Sequence, residues 1–248
     1  MIVQRVGNKK GGSVWFGHGW GRDHNSFNEV VEALRGTAEC VLLDFPGAGG
    51  KGERPAAAWG IDDYAGAVSE LVGKEPEPVI WAGHSFGGRV GIALGSKFPA
   101  NIAGMVLISA AGIPRQRNPL QRWRGKFRQA IFKFRRSRAS GDDELRELEK
   151  QYGSPDYVQS GADGVRDIFL KIISEDQSDR LPQIRVPVKL LYGANDRDTP
   201  PEMGKRMNAL IPNSELTLLE NLDHSQILWR GRHIIALQIK ELLEASRK

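Results

Sequence analysis

The chain is 248 residues long, 40% apolar and 26% charged, a profile that fits one large core carrying an insertion. Its single cysteine, Cys40, excludes an internal disulfide and any paired-cysteine metal or redox centre. The formal net charge of +5 points toward nucleic acid or anionic surfaces until its placement is read: residues 114–138 hold ten Arg and Lys and no acid, so the rest of the chain carries 25 basic against 30 acidic residues.

Residues 1–10 contain no apolar stretch of signal-peptide length, and no later window approaches a membrane span, which predicts a cytoplasmic protein. Short apolar runs then alternate with helical spacing. The runs lie at 14–16, 40–43, 79–82, 105–108, 188–192 and 216–219, and several are apolar throughout, as strands covered on both faces should be. Between them Phe27, Val30, Val31 and Leu34 mark one helix, and Ile61, Tyr64, Ala65, Val68, Leu71 and Val72 a second. Further helices are predicted near 86–97, 201–211 and 231–246. The fold class is α/β, a doubly wound and mostly parallel sheet, with any leading hairpin reduced to a remnant near Ile2 to Val6.

One interval breaks the alternation. The 73 residues from Ile113 to Arg185 are too many for a structureless loop in a compact domain. Trp123, Phe127, Ile131 and Phe134 form one helical stripe and Leu145 and Leu148 another, so 113–185 is predicted to be a helical lid set into a core domain of 1–112 and 186–248.

The chemistry concentrates at Gly83-His-Ser85-Phe-Gly87, directly after an apolar strand and before a helical pattern. A serine on so sharp a turn needs small neighbours two residues to either side, because Cβ atoms there would clash. The turn lifts the hydroxyl above the sheet and aims the next helix's N-terminus at it, where partial positive charge favours a developing anion. Ser85 is therefore the predicted nucleophile. It needs a base that is itself oriented, and in doubly wound hydrolases with such a turn the partners follow in the order Ser, Asp, His. Of five histidines only His224 and His233 follow the lid. His224 stands in a polar loop past the last strand, whereas His233 falls inside the final helical pattern, so His224 is the predicted base. Asp196 is the predicted acid, with Asp198 as its rival; Asn195 and Thr199 are expected to hold the loop. Phe86 and Trp20 are predicted to supply backbone N–H donors to the oxyanion. His18 and His84 are expected to be structural and His24 an exposed loop residue.

In this order, His18-Gly-Trp20, Asp44-Phe-Pro-Gly-Ala-Gly49, Gly83 to Gly87, Gly193-Ala-Asn-Asp196 and His224 resemble the α/β-hydrolase superfamily. The His-Gly-Trp-Gly start is similar to the pimeloyl-carrier-protein methyl ester esterases of biotin synthesis. Gly50 and Lys51 depart from the superfamily pattern, standing where many relatives have serine. The resemblance implies a serine hydrolase acting on an ester or thioester through an acyl-enzyme, with C–C bond hydrolysis or a slow small-molecule sensor as alternatives. No metal cluster, P-loop or dinucleotide glycine signature is present, so neither metal nor cofactor is expected. The apolar lid stripe is expected to cover the pocket, with Trp123 and Phe127 touching substrate. The surrounding Arg122, Arg124, Lys126, Arg128, Lys133, Arg135, Arg136 and Arg138 are either solvated or meet an anionic substrate, carrier or membrane surface. Nucleic acid is not expected over a hydrolytic pocket, and the chain reads equally as monomer or dimer.

Overall fold

The computed structural model describes residues 1–48, 54–116 and 118–247; Gly49, Gly50 and Lys51 lie outside them. Its strands are β1 (Ile2–Gly7), β2 (Ser13–Gly17), β3 (Glu39–Leu43), β4 (Val79–His84), β5 (Ile102–Ile108), β6 (Val188–Gly193) and β7 (Ser214–Leu219). They form one sheet in the order β1-β3-β2-β4-β5-β6-β7. All neighbours are parallel except β1, which pairs antiparallel with β3. The leading remnant is thus a real six-residue edge strand.

Helices cover both faces because successive strand side chains point to opposite sides. On one face Trp15, Val41, Trp81, Leu107 and Leu190 pack under α2 (Ile61–Val72), α3 (Phe86–Lys97) and α8 (Pro201–Leu210) through Tyr64, Val68, Val90, Leu94 and Met207. On the other, Val14, Phe16, Leu42, Ile80 and Val106 meet α1 (Asn28–Leu34) and α10 (Arg232–Ala245) through Val30, Leu34, Ile235 and Ile239. The short α9 (Gln226–Arg230) precedes α10. Between β5 and β6 lie α4 (Pro119–Arg136), α5 (Asp142–Tyr152), α6 (Pro155–Ala162) and α7 (Arg166–Ser174). Among the described residues no helix is long and apolar enough to cross a membrane.

The strand order places the site. The chain crosses from one half of the sheet to the other between β2 and β4, whose carboxyl ends align with Gly17 opposite Gly83. The loops after these strands therefore flank the crevice where such sheets bind ligands. At the other side, Gly193 pairs with Leu219, which brings the loops after β6 and β7 together.

The turn after β4 depends on its glycines. A Cβ at Gly83 would run into the Gly87 carbonyl, and one at Gly87 into the Gly17 carbonyl of β2. Both obstacles are backbone and cannot swing away. Gly87→Ala is expected to cost about 3 kcal/mol, which for a chain of this size lowers the melting temperature by roughly 6–12 °C. Calorimetry showing an unchanged melting temperature would contradict this packing.

Candidate active site

Ser85 follows β4 with φ +50° and ψ −103°, a strained conformation for a residue bearing a Cβ. Its neighbours hold it there. The Ser85 N–H donates to the Ile108 carbonyl at 3.0 Å, its carbonyl accepts from the Ala111 N–H at 3.2 Å, and the Gly87 N–H donates to the His18 carbonyl at 2.9 Å. Phe86 opens α3, so its N–H is among those an α-helix leaves without an intrahelical partner.

At the far end, the loops after β6 and β7 are tied by N–H bonds from Ala194 to the Leu219 carbonyl (2.9 Å) and from Asn195 to the Leu222 carbonyl (3.0 Å). His224 Nδ1 lies 2.8 Å from Oδ2 of Asp196, which is 3% exposed. The other carboxylate oxygen accepts from the backbone N–H groups of Asp198 and Thr199, both at 2.8 Å. Burial opposes ionisation of Asp196, but the bonds from His224 and Thr199 outweigh it and hold its pKa below the usual carboxylate range. The carboxylate thus stays ionised and fixes the ring, leaving Nε2 as the atom available to exchange protons. Thr199 Oγ1, 2.9 Å from Asp196 Oδ2 and 3.0 Å from the Ser109 carbonyl, braces the pair as the loop-holding reading expects. Asp198 is exposed and its bond to Asp196 runs through its backbone, so the structure pairs His224 with Asp196 and not with its rival. Ligand atoms of Asp196, Asp198 and His224 lie within 4.8 Å of one another, a spacing a cation could use. Four hydrogen bonds already occupy the Asp196 oxygens, however, and such an ion would have to displace them.

The remaining histidines are settled by their bonds. His18 Nε2 accepts from the Phe45 N–H at 3.0 Å and Nδ1 donates to the Gly19 carbonyl at 2.8 Å, while burial lowers the pKa, so this ring is a neutral brace. His84 donates from Nε2 to the His224 carbonyl at 2.9 Å, and complete burial lowers its pKa to about 3. It cannot act as a second base near neutrality. His24 is not simply an exposed loop residue, since Nδ1 lies 3.0 Å from Asp44 Oδ2 and the His24 N–H donates to Oδ1 at 2.7 Å. His233 is exposed on α10.

Ser85, Phe86, Trp20 and His224 line one cleft of about 350 Å³. Trp20 meets Phe86 edge-on at 5.8 Å and Phe169 of α7 at 5.2 Å. The helices between β5 and β6 contribute Asp156 from α6 and Phe169, Ile172 and Ile173 from α7. The cleft's own cations are Arg22, Arg89 and Arg115, which sequence reasoning did not single out. Arg22 donates to Ser225 Oγ at 2.6 Å, and Arg89 donates to the carbonyls of Ile172 and Glu175 at 2.8 and 2.9 Å, tying α3 to the end of α7. No local pattern marks these residues, because they converge only through the fold.

Trp123 and Phe127 are a correction. Neither lines the cleft; they stand on α4, 62% and 57% exposed, stacked on each other at 5.6 Å. The face of α4 that packs is built by Phe132, whose ring lies 5.7 Å from Tyr152 and 6.5 Å from Tyr157. The two tyrosines of α5 and α6 offer an aromatic surface that Phe132 fits, and the longer stripe is left facing outward.

Comparison with known proteins bears on the fold and the family. A pimeloyl-[acyl-carrier protein] methyl ester esterase of Vibrio atlanticus (strain LGP32) is 24% identical over 237 residues, covering 85% of this chain and 86% of its own. Among solved structures, a bacterial membrane phospholipase A superposes with a TM-score of 0.74 at 21% identity, covering 100% of this chain and 86% of its own. A thermophilic esterase from Thermogutta terrifontis gives 0.70 at 20% identity, covering 99% and 93%. These structural likenesses speak for the fold. The sequence pattern of the alpha/beta hydrolase family matches residues 15–230, from β2 to the end of α9, and the chain belongs to that family.

Proposed function

We propose that this chain is a serine hydrolase that cleaves a carboxylic ester or thioester through an acyl-enzyme on Ser85. The observation that carries the reading is the His224 Nδ1 to Asp196 Oδ2 contact of 2.8 Å beside the cleft that Ser85 also lines. A serine hydroxyl is a weak nucleophile near neutral pH, and an adjacent oriented base is the activation this geometry offers.

In the first half-reaction Ser85 Oγ attacks the substrate carbonyl while His224 Nε2 takes the hydroxyl proton. The tetrahedral oxyanion is met by the backbone N–H groups of Phe86 and Trp20, reinforced by the N-terminal dipole of α3. His224 then gives the proton to the leaving alkoxide or thiolate as the carbonyl re-forms. In the second half-reaction a water, deprotonated by the same nitrogen, attacks the acyl-enzyme and releases the acid and free Ser85. Asp196 holds the Nδ1–H tautomer throughout and stabilises the transient imidazolium. Residues 113–185 act as a lid, with α6 and α7 shaping the acyl site. An anionic substrate group would meet Arg22 and Arg115 at the cleft, not the cations of α4. The relatives named for a carrier-bound methyl ester make that substrate type a member of any panel.

Initial rates on p-nitrophenyl esters of short and long acids, an acyl thioester and a dicarboxylate methyl ester test the proposal. Saturable turnover of at least one activated ester is expected, with the rate unchanged by EDTA. Absence of turnover across the panel would favour the sensor alternative, and loss in EDTA restored by a divalent ion would contradict the mechanism.

A further inference from the structure

Helix α4 has two unlike faces. Phe132 turns inward, and Arg128 and Arg135 reach the same side, each with its guanidinium over the Tyr152 ring at 5.5 and 5.9 Å. The outward face carries Leu120, Trp123, Phe127 and Phe134, each between 55 and 62% exposed. At about 100° per residue these four and Ile131 fall within an arc of roughly 80°. Trp123 and Phe127 stack with ring planes 9° apart and centroids 5.6 Å apart, a compact apolar pair within the stripe. By the same helical spacing Arg124 borders the stripe on one flank and Lys126 and Lys133 on the other. An apolar strip of this kind, in a segment (residues 114–138) whose charged residues are all basic, is unusual on a surface that meets only water.

We propose that α4 is an interfacial helix that seats this protein on an anionic lipid surface. The apolar stripe enters the level of the headgroups, and the flanking lysines and arginines run their methylene stems along it to reach phosphate. Charge complementarity selects this occupant. A second copy of the chain would set one cationic face against another, and a nucleic acid, although it could stack bases on Trp123 and Phe127, offers the aliphatic Leu120 and Ile131 of the same stripe no apolar partner. An acidic protein would satisfy the cations, yet cations on both flanks of a central apolar strip match a plane that is apolar inside and anionic at its rim. The proposal does not depend on Ser85 being the nucleophile, since its test reads binding and not turnover.

The test is co-sedimentation of the full chain with vesicles of phosphatidylcholine mixed with phosphatidylglycerol, against phosphatidylcholine alone. Binding to the anionic vesicles at least about 10-fold stronger than to the neutral ones is expected, weakening as salt is added. The double variant Trp123→Ala, Phe127→Ala and the triple variant Arg124→Gln, Lys126→Gln, Lys133→Gln are each expected to lose about 10-fold or more in binding while hydrolysing a soluble activated ester at the wild-type rate. Trp123→Phe, a milder change, is expected to keep binding but to lose fluorescence quenching by brominated lipid. No preference for anionic vesicles, or binding that survives both sets of substitutions, overturns the proposal. So does light scattering that shows a dimer abolished by the double variant, or retention by an acidic carrier protein alone with no vesicle binding.

Discussion

Replacing Ser85 with alanine is expected to lower kcat/KM for an activated ester by about 10³- to 10⁶-fold and to abolish labelling by a fluorophosphonate probe. The loss is large because in the proposed mechanism the hydroxyl forms the acyl bond, and the other serine among the described residues that line the cleft, Ser225, is engaged by Arg22 at 2.6 Å. What remains of the rate is what the Phe86 and Trp20 donors and substrate positioning supply to attack by water. The backbone of the turn rests on bonds from Ser85 and Gly87 main-chain atoms to Ile108, Ala111 and His18, none of which uses the side chain, so the melting temperature should hold. A loss below about tenfold would remove Ser85 from the reaction.

His224→Ala is expected to cost a comparable factor, since a nucleophile and its base fail as a unit. Asp196→Asn should cost about 10³- to 10⁴-fold, because an amide donating toward Nδ1 selects the wrong tautomer. Asp198→Asn should cost less than about tenfold, as only its backbone N–H supports the carboxylate. His233→Ala, on the exposed side of α10, should leave kcat/KM unchanged. These four variants measured side by side with one ester separate the assignments. A larger loss in Asp198→Asn than in Asp196→Asn would move the acid to position 198.

The elements, and the residues proposed to react, were legible where the signal is local. The turn around Ser85 announces itself because two backbones approach so closely that Gly83 and Gly87 admit no Cβ, and strands buried on both faces must be apolar throughout. His224 and Asp196 follow from chain order on a sheet whose loops gather at one end. The inserted segment was legible only as helices. Periodicity says that Trp123, Phe127 and Phe134 share a face; it does not say what that face meets. Tertiary packing chose Phe132 and the tyrosines of α5 and α6 for the contact, which the spacing of α4 by itself could not show. Arg22, Arg89 and Arg115 were invisible for a related reason. A basic residue in a loop or helix reads as solvated until the fold brings it to a cleft, and His24 gained Asp44 in the same way.

The central claim, an acyl-enzyme on Ser85, is tested most directly by peptide mass mapping of the wild-type chain after reaction with a fluorophosphonate. The account predicts one phosphonyl group per chain, on the peptide containing Gly83 to Gly87 and localised to Ser85 by fragmentation, with His224→Ala leaving that peptide unmodified under the same conditions. An adduct on any other serine, or none on a chain that hydrolyses esters, would contradict it.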